Sequence, residues 1–116
     1  ITNVTLAWNW WYTLPGDSNQ KFTEAYKKST GGQLPSGASP SCYEAVKVVA
    51  EALAKTGALT SDKSTAAKRD AIRKYFADLK DWPAVNGSVS MGSKGTVEQP
   101  GVLLAYDKGE ITLETK

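Results

Sequence analysis

The stretch Ser41 to Thr56 constrains the fold more than any other part of the chain. Tyr43, Val46, Ala50 and Leu53 form one stripe at helical spacing, and Ala45, Val49 and Ala52 widen it until much of the circumference is apolar. A helix of that kind needs covering layers on more than one side. A chain of 116 residues supplies few of them. The pattern therefore predicts a well-buried helix ending at Gly57, and a covering surface that this chain does not itself provide.

The elements around that helix follow from their own signals. The opening Ile1 to Trp11 is rich in β-branched and aromatic residues, with Val4, Leu6 and Trp8 on one parity, which reads as a short strand running into a loop. Pro15-Gly16-Asp17 marks a turn, after which Ser18 is placed to cap a helix reaching Ser29, with Phe22, Ala25 and Tyr26 on one side and a stop at Gly31-Gly32. Gln33 to Pro40, with its prolines, glycine and serines, is a loop. A third helix over Thr65 to Leu79 carries Ile72, Tyr75, Phe76 and Leu79 on one face and Lys and Arg on the other. Val85 to Met91, Val102 to Tyr106 and Glu110 to Leu113 then read as short strands, separated by glycine turns at Ser93-Lys94-Gly95 and Asp107-Lys108-Gly109. The order is strand, three helices, then a β-ribbon, an α/β pattern.

Composition closes off several functions. Fourteen Lys and Arg against 12 Asp and Glu leave a net charge of +2 with no long basic block, so no nucleic-acid partner is expected. The chain has no histidine, which removes Ser/His and Cys/His catalysis. The lone Cys42 has no disulfide partner in the chain and is expected to be a small buried apolar group. Ser90 with Lys94 and Ser61 with Lys63 fall in turn-like surface segments, and Glu44 with Glu51, seven residues apart, reads as a solvated helix face. Gly31-Gly32 lacks the spacing and the following Lys of a phosphate loop. No enzyme, metal or cofactor is expected. The start Ile1-Thr2-Asn3-Val4 shows no signal-peptide pattern and reads like the middle of a protein, so a fragment is expected.

The feature left for function is the aromatic run Trp8, Trp10, Trp11 and Tyr12. Clustered rings form either a core or a ligand wall, and the residues alone leave both open. In an extended segment Trp10 and Trp11 point to opposite sides, so at least one ring must look outward or into a cleft.

Trp10-Trp11-Tyr12-Thr13-Leu14-Pro15, then Asn19, Phe22, Tyr26, Gly32 and Pro35, then Tyr43-Glu44-Ala45-Val46 with Ala50-Glu51-Ala52-Leu53 and Gly57, resemble in order and spacing the last third of type I periplasmic solute-binding proteins of the branched-chain amino-acid type. Glu44 stands where that family usually has Asp. Val85-Asn86-Gly87, Lys94-Gly95 and Tyr106 to Ile111 resemble its closing strands and final hairpin, so the resemblance covers nearly the whole chain. It implies a fragment of a two-lobed periplasmic-binding-protein-like fold, with residues from 1 to about 80 returning into the first lobe and residues from about 81 to 116 crossing to the second. It implies an extracytoplasmic protein that traps a small solute, an amino acid or a related carboxylate or aromatic compound, and hands it to an ABC permease. Ligand contacts are expected at Trp8, Trp10 and Trp11, and at Ala38 and Ser39 in the loop before the second helix, where small residues replace a bulky ring of relatives. Self-association through uncovered apolar surface is expected of the fragment. A ligand-sensing receptor on the same fold and a free-standing α+β interaction module are the competing readings.

Overall fold

β-Branched and aromatic residues over Val4–Trp8 form strand β1, which pairs antiparallel with β5 (Val102–Asp107), and β5 pairs in turn with β6 (Glu110–Leu113). The β5–β6 hairpin closes through Lys108 and Gly109, both at positive φ, as a two-residue turn of this twist requires. Between β1 and β5 run helices α1 (Asp17–Ser29), α2 (Ser39–Thr56) and α3 (Thr65–Ala77) and a second antiparallel sheet of β2 (Trp82–Ala84), β3 (Gly87–Met91) and β4 (Val97–Glu98). This computed structural model describes residues 3–114. The first two residues of the expected opening strand lie outside that range.

The helices start and stop largely where the sequence places them. Gly57, in the left-handed region with φ 63°, ends α2, and its N–H bonds back to the carbonyl of Ala54. Ser64 caps α3 by accepting from the Ala67 N–H. At α1 the cap is Gly16 with no side-chain bond, and Ser18, expected to cap, lies within the helix. Asp17 sets its carboxylate in the first turn, where the helix dipole favours negative charge.

The single strand expected over Val85 to Met91 is instead the second half of a hairpin. Trp82 pairs with Val89 and Ala84 with Gly87, leaving Val85 and Asn86 as the turn. Two features break the strand: Gly87 takes φ 80°, and the Val85 N–H is donated to the Glu44 carboxylate (2.6 Å) rather than to a neighbouring strand. The carboxylates of α2, though partly solvated, are therefore not an idle helix face. Glu44 holds the turn, and Glu51 accepts from the Trp82 indole N–H (2.8 Å) while pairing with Lys55, so the two together clip the hairpin to the helix.

Leu79, Trp82 and Ala84 form the core cluster beneath α2, with Val48, Tyr75, Val89 and Met91 packed on it. Only one side of α2 reaches this cluster. Val46 is 72% exposed, and Tyr43, Val49 and Cys42 are exposed as well. The expectations of a well-buried helix and a buried thiol are thus corrected. Packing from α3 and the hairpin covers one face; on the other, Tyr43 meets Phe22 of α1 at 5.3 Å between ring centres, while Val46 and Val49 lie open.

The first sheet makes its principal contacts within itself, and the helices and second sheet make theirs among themselves. The radius of gyration is 17.5 Å and the longest extent 59 Å, against the radius of about 13 Å of a compact domain of this length. The chain thus forms two bodies joined where β1 and β5 leave the first sheet.

Candidate functional site

The loop between β1 and α1 is built around Asn19. Its side chain is buried, with Oδ1 accepting from the Trp10 indole N–H (2.6 Å) and Nδ2 donating to the carbonyls of Tyr12 (3.1 Å) and Leu14 (2.7 Å). One carboxamide thereby fixes three alternate residues of the loop. Trp10 is buried edge-on against Phe22 at 5.8 Å between ring centres, which makes it core packing here. Trp11 is half-buried and leans on Tyr12 at 5.0 Å. The sequence argument that these rings cannot share one face agrees with this arrangement, although the strand itself ends at Trp8.

Trp8 is 52% exposed at the end of β1. Its indole lies against Gly37, so closely that a Cβ at that position would overlap the ring nitrogen. Gly37 belongs to a tight turn in which the Ser36 N–H donates to Ser39 Oγ (3.0 Å) and the Ser39 N–H donates to the Ser36 carbonyl (3.0 Å). Ala38 is exposed in this turn and Ser39 opens α2. Asn9 adds a long contact from Nδ2 to Ser41 Oγ (3.4 Å). The two segments expected to carry ligand contacts, thirty residues apart in sequence, are therefore in contact in space.

On its other side Trp8 borders a shallow concavity of about 430 Å³ whose walls are Ala7, Asn9, Gln99, Pro100 and Gly101. The rim combines one indole, one proline ring and two carboxamides, a set able to stack a planar or apolar group and hydrogen-bond its polar edge. Trp8 and Ala38 are thus surface groups beside this rim, Trp11 stands further along the loop, and Trp10 supports the loop from beneath. Sequence reasoning missed Asn9, Gly37, Pro100 and Gly101. The Pro-Gly pair and a glycine between two prolines were the available signals, since close approach of another group is one use of glycine.

A larger open groove of about 830 Å³ runs between α1, α2 and the β2 hairpin, lined by Phe22, Tyr26, Tyr43, Lys47 and Trp82 among others. Lys47 Nζ sits 5.2 Å from the Tyr43 ring centre and 5.8 Å from that of Trp82. Burial pushes the Glu44 carboxyl above its ordinary value, against the opposing pull of the Val85 N–H and Lys47. The hydrogen bond from Lys55, followed by that from Trp82, lowers Glu51 to about 2. Both carboxylates are engaged in holding the hairpin. Among the described residues no cluster of three or more metal-ligating side chains is present, and no helix is long and apolar enough to cross a membrane.

A sequence model of the periplasmic binding protein family matches residues 1–110. The chain belongs to that family. Among solved structures, this periplasmic-binding-protein segment is similar to a leucine-binding protein of Thermotoga maritima, with a TM-score of 0.75 and 17% identity over 98% of this chain and 30% of that one. An ABC transporter substrate-binding protein of Desulfitobacterium hafniense, solved with Leu, gives a TM-score of 0.75 and 22% identity over 97% of this chain and 31% of that one. A solute-binding protein of an ABC transporter from Rhodopseudomonas palustris, in complex with 3,4-dihydroxybenzoic acid, gives 0.72 and 26% over 95% and 29%. No curated protein matches in sequence. The chain therefore spans about 30% of the length of these relatives and takes the fold of that part. The family and these neighbours are binding proteins and not enzymes.

Proposed function

We propose that the chain is the C-terminal portion of an extracytoplasmic solute-binding component of an ABC importer, which captures an amino acid or a related carboxylate or aromatic compound and delivers it to a permease. The observation that carries this reading is the half-exposed Trp8 indole seated on Gly37, at the junction of the two bodies and beside the Ala38–Ser39 turn. An exposed large ring steadied by a tight backbone approach is partly pre-organised for a ligand, since less of its freedom remains to be lost on binding. Membership of the periplasmic binding protein family supports the same reading.

In this scheme the helices and the β2–β4 sheet belong to the first lobe, and β1, β5 and β6 form the crossing to the second. The boundary then runs through residues 8–10 and 98–102, whereas the sequence reading put it near residue 80. Outside the intact protein, the bare side of α2 and both faces of the first sheet, with Leu6, Leu103 and Ile111 exposed, make self-association the expected behaviour of the 116-residue chain.

The test is calorimetric titration of the intact protein and its Trp8→Ala variant with leucine and with 3,4-dihydroxybenzoate. Trp8→Ala should weaken binding by about tenfold to a hundredfold, or about 1–3 kcal/mol, with thermal stability little changed. Normal binding of either solute by the variant, or binding of neither by the wild type, would overturn the proposal as stated.

A further inference from the structure

The two bodies are joined by two adjacent strands, and one side chain holds both at the point of exit. Asn86, in the turn between β2 and β3, donates from Nδ2 to the carbonyl of Asn9 (2.9 Å) and to the carbonyl of Pro100 (3.1 Å). Asn9 follows the last residue of β1, and Pro100 lies two residues before the start of β5, beside the register pair Trp8 and Val102. The turn is itself fastened to α2, because Glu44 accepts the N–H of the preceding Val85. At Gly87, which follows, an added Cβ would touch the Pro100 ring at 3.4 Å, so the turn packs directly on the crossing.

We propose that Asn86 is a positioning residue that sets the angle between the two bodies, and with it the placement of the Trp8 and Pro100 rim. The chemistry is specific. Two carbonyl acceptors must be met by two donors, which the NH₂ of a carboxamide supplies; an Asp of the same shape presents only acceptors at neutral pH. The connection from α2 through Glu44, Val85 and Asn86 to Asn9 and Pro100 is a polar tie from the helical body to both crossing strands at once, whereas the long Asn9–Ser41 contact reaches only one. The inference concerns the joint and not the solute, so it stands or falls independently of the proposed function.

The experiment is pulsed electron spin resonance on the 116-residue chain carrying Cys42→Ser, Arg69→Cys and Thr112→Cys, with a spin label on α3 and another on β6, diluted with unlabelled chain. Asn86→Ala should broaden the distance distribution, and Asn86→Asp should broaden it at least as much. A purely steric role predicts that Asp, of the same shape, behaves like the wild type, and that result, or unchanged distributions in both variants, overturns the proposal. Should either variant fail to fold, hydrogen exchange of the wild-type Asn86 side-chain amide decides. Exchange slower than at the exposed Asn3 side chain is expected, and equal rates overturn the assignment.

Discussion

Trp10, in the loop between β1 and α1, is 2% exposed, while Val46, on α2, is 72% exposed. Both are large apolar residues set in strongly apolar surroundings in sequence. The loop carries its own cover: Phe22 from the next helix meets the Trp10 ring, and Asn19 satisfies the indole N–H and two loop carbonyls, so the unit closes within thirteen residues of sequence from Trp10 to Phe22. The outer side of α2 has no such local partner. Periodicity shows which face of a helix wants covering; it is silent on whether the covering layer lies within the same 116 residues.

The sharpest way to break this comparison is to remove the covered ring. Trp10→Ala should destabilise the chain by about 3–5 kcal/mol, the range for deleting a buried Trp or Phe side chain. The urea unfolding midpoint should fall with an unchanged slope. A loss under about 1 kcal/mol would show that the loop is no better packed than the outer face of α2.

Asn19 tests the polar half of the same unit. Asn19→Ala strands the Trp10 N–H without its acceptor and two carbonyls without their donor, and should cost about 1–3 kcal/mol. Denaturant titration measures it. Stability equal to wild type would mean that water replaces the carboxamide at no cost, and that the loop is held by its rings alone.

On the exposed side the expected effect is of another kind. Val46→Ser with Val49→Ser should change the unfolding free energy by no more than about 0.5 kcal/mol, as for other exposed sites. It should, however, shift the light-scattering mass of the chain toward monomer at high concentration. Unchanged association would move the self-contact elsewhere, with the first sheet as the next surface to test.

What the sequence disclosed follows the same division. Helix positions, the Gly57 stop and the glycine hairpin at Lys108-Gly109 were legible because each is decided within a few residues by spacing and backbone freedom. The hairpin at Val85-Asn86 was only half legible: Asn86-Gly87 is a local turn signal that the single-strand reading passes over, while the other feature that breaks the strand is a carboxylate 41 residues upstream at Glu44. Trp8 and the Ala38–Ser39 turn came from the family resemblance, and their meeting at Gly37 is a tertiary fact that no local pattern carries. The exposure of Cys42 went unread for the reason Val46 did: burial was inferred from residue type on a helix whose outer side lies largely open.

The smallest expected effect is the pH response of the clip between α2 and the hairpin. Glu51 has its carboxyl lowered from 4.5 to about 2 by the bonds from Lys55 and then Trp82. A carboxyl lowered in the folded state contributes stability that is present above its unfolded value, and loses it as pH falls from about 4.5 through the folded value. Glu44 acts in the opposite sense. Its carboxyl is raised by burial, so its protonation favours the folded chain as pH falls toward the ordinary carboxyl value and partly offsets the acid limb. The pair with Lys55 is solvent-facing, which keeps the response modest and weakens it further in salt. The melting temperature of the wild type should therefore fall between pH 4.5 and about 2 more steeply than that of Glu51→Gln, which cannot titrate but still offers Trp82 an oxygen acceptor. Parallel acid limbs for the two proteins would mean that the carboxylate holds no preferential place on the Trp82 N–H, and that the hairpin is held to α2 by Glu44 and by apolar packing at Trp82.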